Sequence, residues 1–185
     1  MLLCYCGPKV IMLPFFLVRL LLLFLLGIGV TYGETLRGVV INVVDGDTII
    51  LLEKTPEGKR AHRVQLEGID APEQGQDGGE EAREYLEKLI WGETVTIEYN
   101  QDDQYGRILG RVLCGALRVN EEMVKEGWAW RYKFSTDRKL ASYEKEARSA
   151  GKGLWAEPNP VSPWEWRDRK RAEESGGTRG KRVFH

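Results

Sequence analysis

The stretch "RGVVINVVDGDTIILLEKTPEGKRAHRVQLEGIDAPE", Arg37 to Glu73, decides the fold. Arg37 to Val44 is dense in Val and Ile and reads as a strand. Asp45-Gly46 is a hairpin signal, and Thr48 to Glu53 is the next strand. Lys54 to Lys59 holds Pro56 and Gly58 and turns the chain again. Ala61 to Ile69 alternates in character and makes a third strand, so the three form an antiparallel meander. In such a hairpin, paired positions sum to a constant, here about 114. Asp47 is then expected opposite about Glu67, which brings the Asp45–Asp47 turn and the Asp70–Glu73 turn to one end of the sheet. Pro72 suffices for the second turn; the two carboxylates around it need another reason.

Asp45, Asp47, Asp70 and Glu73 are expected to converge there, and four carboxylates repel one another unless a cation sits between them. Oxygen donors without His or Cys nearby favour a hard cation, Ca²⁺ or Mg²⁺, over zinc. Each piece alone has a plainer reading: "VDGD" as a hairpin turn, "DAPE" as a Pro turn with solvated acids, "YGR" (Tyr105 to Arg107) as a turn with a surface Arg. The twelve-residue calcium loop of EF-hands is absent. His62 is expected on the strand's other face, at the surface.

Working outward, "DGGEEAREYLEKLIWG" places Ala82, Tyr85, Leu86, Leu89 and Ile90 at helical spacing. Asp77 with Glu80 has the form of a capping box, and Gly92 suits the position just past the helix. Glu93 to Asn100 and Arg107 to Cys114 read as a fourth and a fifth strand. Asn120 is expected to cap a short helix ending near Gly127. A last helix is expected from Thr136 to Gly151, with Leu140, Tyr143 and Ala147 on one face. Five strands with a helix between the third and fourth match the order of an OB-fold. The expected fold class is therefore mainly β with helices: a five-stranded OB-fold barrel with about three α-helices.

Residues 10 to 32 are apolar apart from Arg19, densest over "LLLLFLLGIGV", Leu20 to Val30. That core has the length of a signal-peptide h-region and is short for a membrane span. Residues 1–33 are read as a signal peptide cut after Gly33, or else as an uncleaved N-terminal anchor that would attach the protein to a membrane. Translation from Met12 would give a more usual signal. The expected location is outside the cytoplasm, periplasmic or secreted. Cys4 and Cys6 fall in that leader, so Cys114 is left without an internal partner and reads as a core residue. The chain holds 27 basic and 28 acidic residues; loss of Lys9 and Arg19 with the leader makes it more acidic still, which excludes polyanion binding by bulk charge. Residues 34–160 are the expected domain. Residues 161–185 are read as a Trp-containing basic tail, docked through Trp164 and Trp166 and mobile beyond. Trp128, Trp130, Tyr132 and Phe134 in "EGWAWRYKF" serve either as a base-stacking platform or as packing for the barrel.

Four spaced motifs, "VVDGDTIIL", "GIDAPE", "DQYGRILGRV" and "VNEEMVKEGWAW", together with "EARSAGKGLW", resemble the staphylococcal nuclease (thermonuclease) family over about Gly38 to Ala156. The resemblance implies an OB-fold phosphodiesterase that hydrolyses DNA and RNA with Ca²⁺, as a monomer with no stable protein partner. It implies Asp47, Asp70 and the Ala71 backbone carbonyl as ligands of the ion, with Asp45 in its outer shell. Glu73 would be the general base, Arg107 the residue paired with the scissile phosphate, and Tyr105 and one aromatic such as Tyr132 the flanks of the nucleotide. One position departs from the pattern. Gln65 stands where the family carries a second phosphate-binding Arg, and Arg63, two residues earlier on the same face, is the candidate substitute. The alternative reading is a single-strand-binding OB module that cuts weakly.

Overall fold

A computed structural model describes residues 33–102 and 106–177. The chain divides into Met1–Tyr32 and Gly33–His185, and the description concerns the second unit; the expected leader, Tyr105 and the last eight residues lie outside it. In chain order come β1 (Glu34–Asp45), β2 (Thr48–Thr55), β3 (Gly58–Leu66), β4 (Ile69–Asp70), α1 (Gly79–Ile90), β5 (Thr94–Asp102), β6 (Ile108–Cys114) and β7 (Leu117–Arg118). There follow α2 (Val119–Lys125), β8 (Trp130–Arg131), α3 (Arg138–Ala150), a 3₁₀ turn (Gly153–Ala156) and α4 (Pro163–Gly177).

The sheet runs β3-β2-β1-β5-β6, and a parallel pairing of β3 with β6 closes it into the expected five-stranded barrel. Closure asks one strand to serve two neighbours in different directions. β1 does this: Glu34–Val39 pairs with β5, and Val39–Asp45 with β2. Register shifts at Val40/Asn42 and Val43/Asp45 bend it between the two tasks. Alternate residues point inward, and Val40, Ile49, Leu51, Val64, Leu66, Ile97 and Val112 are fully buried. α1 packs Ala82, Leu86 and Ile90 into the same core. Cys114 is half-buried against this core, and burial, then the Glu93 charge, raises its thiol pKa.

Several local expectations change. The β2–β3 pairing runs one residue tighter than the hairpin estimate, because the loop holds only Pro56 and Glu57 between the paired Thr55 and Gly58. Asp47 therefore meets Leu66, whose N–H donates to the Asp47 backbone carbonyl at 2.8 Å, and Thr48 faces Gln65. α1 has no capping box: Gly78, in the left-handed region, is its N-cap without a side-chain bond. Gly92 (φ 77°) does sit just beyond the C-cap Trp91. α3 is capped by Asp137, whose carboxylate accepts the N–H groups of Lys139 and Leu140. His62 is half-buried and pairs with Glu53 at 2.9 Å rather than facing solvent alone. The stretch read as a tail opens with a fourth helix, α4, with Trp164 and Trp166 half-buried.

Asn120 is the largest of these changes. It lies inside α2, buried, and caps nothing. Its Oδ1 accepts the Val112 N–H at 2.9 Å, and its Nδ2 donates to the carbonyls of Glu67 and Gly110 at 2.9 and 3.2 Å. One amide thus joins β6 to the chain leaving β3. Removing it strands buried backbone groups, at about 1–3 kcal/mol for such a loss. Asn120→Ala should lower unfolding stability in urea by about 3 kcal/mol with an unchanged m value; a loss below about 1 kcal/mol would show that the amide is dispensable.

Candidate active site

The β1–β2 hairpin is only Gly46 and Asp47 wide, because Asp45 pairs with Thr48. In that turn the Asp45 Oδ1 accepts the Asp47 N–H at 3.0 Å, which fixes the backbone. Asp47 points inward and is buried. Its Oδ1 accepts the Thr48 hydroxyl at 2.9 Å, and its Oδ2 accepts the Ala71 N–H at 3.0 Å. A single carboxylate therefore binds the "DGD" turn to the "DAPE" turn. Gly46 permits the approach: a Cβ there would lie 2.7 Å from the Ala71 Cβ and 2.8 Å from the Ala82 Cβ. Burial, foremost, and then the charge of Asp45 push the Asp47 pKa well up, with Asp70 adding to it, against the Ala71 and Thr48 hydrogen bonds.

Asp70 is held by the β4–β8 ladder, opposite Trp130, and is buried. Glu73 follows Pro72 and is half-buried. Gln76 clamps its backbone: the Glu73 N–H donates to Gln76 Oε1 at 3.1 Å, and the Glu73 carbonyl accepts the Gln76 N–H at 3.0 Å. Gly79 lets α1 start close behind, since a Cβ there would stand 2.3 Å from the Glu73 carbonyl oxygen. The other end of the buried Gln76 amide donates to the Val161 carbonyl at 2.7 Å. That bond ties the Glu73 turn to the segment that leads into α4.

α4 then delivers Arg167 to the acids. One terminal nitrogen donates to Asp70 Oδ1 at 3.1 Å and Glu73 Oε1 at 2.5 Å; the other donates to Asp70 Oδ2 at 2.7 Å. The hydrogen bond to Asp70, and then that to Glu73, raises the guanidinium pKa against its own desolvation. Sequence reasoning missed both Gln76 and Arg167. Neither carries a local signal: Gln76 sits in a Gly-rich loop, and Arg167 opens a charge run of the kind that usually faces solvent.

The remaining expected residues are spread around this centre. Gln65 lies opposite Thr48, whose hydroxyl touches Asp47, so position 65 is at the edge of the acids. Arg63 faces Ile50, one step of about 6–7 Å away, and is exposed; it lines a polar hollow with Arg60, His62, Tyr99 and Asn100. Arg107 is half-buried immediately before β6, level with Arg63 in the β3–β6 register. Tyr105 lies outside the described residues. The aromatics divide. Trp130 is buried against Trp155, and Trp128 packs on Tyr85. Tyr132 and Phe134 stay exposed, edge-to-face at 5.5 Å. They line a 470 Å³ cleft with Leu109, Arg111, Arg118 and Asn120.

Among the described residues no three His, Cys, Asp or Glu side chains stand around a common point at metal-ligand distance; Asp70 and Glu73 are turned onto Arg167 instead. The donor set still fits a hard cation: carboxylate and carbonyl oxygens, with no thiolate or imidazole beside them. The raised pKa of Asp47 states the same need in electrostatic form, since a nearby positive ion would restore its charged form.

Comparison with known proteins agrees with this architecture. The family model described as "Staphylococcal nuclease homologue" matches residues 63–157. An "Uncharacterized endonuclease" of Escherichia coli is 43% identical over 137 residues, which cover 73% of this chain and 87% of that one. A "Micrococcal nuclease" of Shigella flexneri is 40% identical over 143 residues, covering 71% and 80% of the two chains. A "Probable staphylococcal-like nuclease" of Oryza sativa subsp. japonica is 43% identical over 113 residues, 60% of this chain but only 34% of the longer plant protein. With this barrel, these two turns and these matches, the chain belongs to the staphylococcal nuclease family.

Proposed function

We propose that the protein is an exported, Ca²⁺-dependent phosphodiesterase that hydrolyses DNA and RNA with little sequence specificity. The observation that carries this reading is the Asp47–Ala71 hydrogen bond, which ties together the two distant turns that bear the acids. Asp47, Asp70 and the Ala71 carbonyl would hold the ion, with Asp45 behind them. The ion, when bound, supplies positive charge to a phosphodiester that otherwise repels any nucleophile. Glu73, held by its Gln76 clamp, accepts a proton from water beside the phosphorus. Arg107 offers a planar fork to two phosphate oxygens and meets the charge that grows on them during attack. Tyr132 and Phe134 give one base a stacking surface, and Tyr105 is the expected second flank. Low specificity follows, because stacking and phosphate contacts read no base edge.

Wild-type protein should cut plasmid and single-stranded DNA with Ca²⁺ and not with chelator. Glu73→Gln should lower kcat by about 10²-fold or more, the usual scale for loss of a general base. Its affinity for an uncut oligonucleotide should change little. Arg107→Ala should lower kcat and weaken binding together, since that charge is met in ground and transition states. Tight single-strand binding by a wild type that never cuts would establish the binding module instead, the reading that Gln65 favours.

Asp47 gives a metal test with a definite sign. Its folded pKa is raised, so at neutral pH its charge works against the metal-free fold. Asp47→Asn keeps an acceptor for the Ala71 N–H and removes that charge. It should raise the metal-free Tm and abolish the further rise that Ca²⁺ gives the wild type through linkage. Asp70→Asn should also weaken Ca²⁺ binding by calorimetry. In the wild type the Ca²⁺-induced rise should shrink toward low pH, where the proton competes for Asp47. Unchanged Ca²⁺ binding in both variants would show that these acids are not ligands.

Export rests on the apolar leader. N-terminal sequencing of protein recovered outside the cytoplasm should begin near Glu34; a full-length protein that resists carbonate extraction from membranes would favour the anchor.

A further inference from the structure

The nuclease reading leaves a deficit of charge. A phosphate in this site has Arg107 on one side, and β3 offers it Gln65, which can donate a hydrogen bond but brings no charge. Arg63 lies a step further along β3, facing Ile50 and lining a different hollow. A guanidinium that does reach the acids is that of Arg167. It is no swinging surface side chain: it is about one-third exposed, it grips the 6%-exposed Asp70 with both terminal nitrogens, and it also holds Glu73. Its helix is anchored to the same turn through the Gln76–Val161 bond, and Ser162 donates its N–H to Glu165 at the helix start.

A guanidinium has five N–H groups. Asp70 and Glu73 take three of them. The Nε–H and one terminal N–H keep no partner among the described residues. These two donors remain for an anion while the other three hold the side chain in place, which is the preorganised arrangement that makes Arg suited to phosphate. The fork stands against both the acid expected to hold the ion and the acid expected to activate water. An oxygen bound there would lie beside those two acids.

We propose that Arg167 is a substrate-binding residue, the second guanidinium on the substrate phosphate, supplied by α4 in place of β3, where Gln65 stands. The assignment rests on the phosphodiesterase reading for its catalytic meaning, and on contacts alone for its phosphate.

The test uses the full chain and a fluorescein-labelled single-stranded oligodeoxynucleotide, with chelator present so that nothing is cut. Arg167→Gln should weaken binding about tenfold. It should also flatten the slope of log affinity against log salt by about 0.7, the share of one phosphate contact on a single strand. Arg167→Lys should keep the slope, because it keeps the charge, and should raise KM severalfold for want of the planar fork. With Ca²⁺, Arg167→Gln should raise KM and lower kcat, since the contact serves ground and transition states. A Gln variant with wild-type affinity and slope overturns the proposal. So does one that binds Ca²⁺ more tightly while its oligonucleotide affinity is unchanged, which would make Arg167 a plug on the acids. Should Arg167→Gln lose its helical signal, Arg167→Lys decides alone, and a wild-type KM there overturns the fork. A wild type that binds but never cuts sinks the phosphodiesterase reading and leaves the salt-slope test of Arg167 intact. A wild type that cuts, beside a Gln variant of unchanged affinity and slope, sinks only the role of Arg167.

Discussion

The hydrogen bond from the Ala71 N–H to Asp47 joins two turns that are 24 residues apart in the chain. Nothing in either turn alone would hold an acid in a buried place, because an unpaired carboxylate there would take up a proton or turn outward. Each acid is instead fixed by a different part of the fold. Asp45 is spent on the backbone of its own hairpin. Asp47 is locked between Thr48 and Ala71. Asp70 is presented by a two-residue ladder against β8. The closed barrel makes the supports of Asp45 and Asp47 rigid, since β1 and β2 are each bonded on both sides. The acidic centre thus begins as a packing problem: Gly46, Ala71 and Ala82 are small so that two turns and a helix can meet.

Charge explains what is added to that frame. The chain is nearly neutral overall, at −1, so attraction to a polyanion cannot come from the whole protein. It has to be local. Asp47, Asp70 and Glu73 make the centre acidic, and Arg167 offsets part of that charge. Beyond Arg167, the same helix carries Arg169, Lys170 and Arg171, all exposed. The segment that composition reads as a solvated tail thus places a helix against the acids at its start, through Arg167.

The meander, the closing strands, the first helix and the meeting of the two acidic turns were legible in the sequence, because they rest on local periodicity and on turn residues. The register was legible only to within one residue. A two-residue loop and a slightly longer one carry the same Pro and Gly signals, yet they exchange Leu66 for Glu67 opposite Asp47. Asn120 has the form of a helix cap and instead binds strands, because a buried amide answers whichever backbone groups the barrel leaves unpaired. Gln76 and Arg167 act over 85 and 97 residues of chain separation. No periodicity reaches that far, so only the folded arrangement shows them.

The aromatic run shows where such a limit is physical. Trp128, Trp130, Tyr132 and Phe134 share one parity, and a continued strand would place all four on one face. β8 stops at Arg131, after two residues. Within it, Trp130 is buried against Trp155. Past it, the Tyr132 N–H bonds to the Gly68 carbonyl and Ser135 folds back onto the Tyr132 carbonyl, so the chain turns. Tyr132 and Phe134 are thereby released from the packing that claims the two Trp residues. An exposed pair of rings costs the fold burial that it could otherwise have had, and Phe134, at 72% exposed, gives up most of it. Lys133 lies 5.1 Å from the Phe134 ring centroid, so the surface combines a cation with π faces. The cleft beside the rings is lined by Gly68, two residues before Asp70, and by Leu109, the pairing partner of Gln65. The bond that starts the turn, from the Tyr132 N–H to the Gly68 carbonyl, also keeps that backbone two residues from Asp70 in the chain.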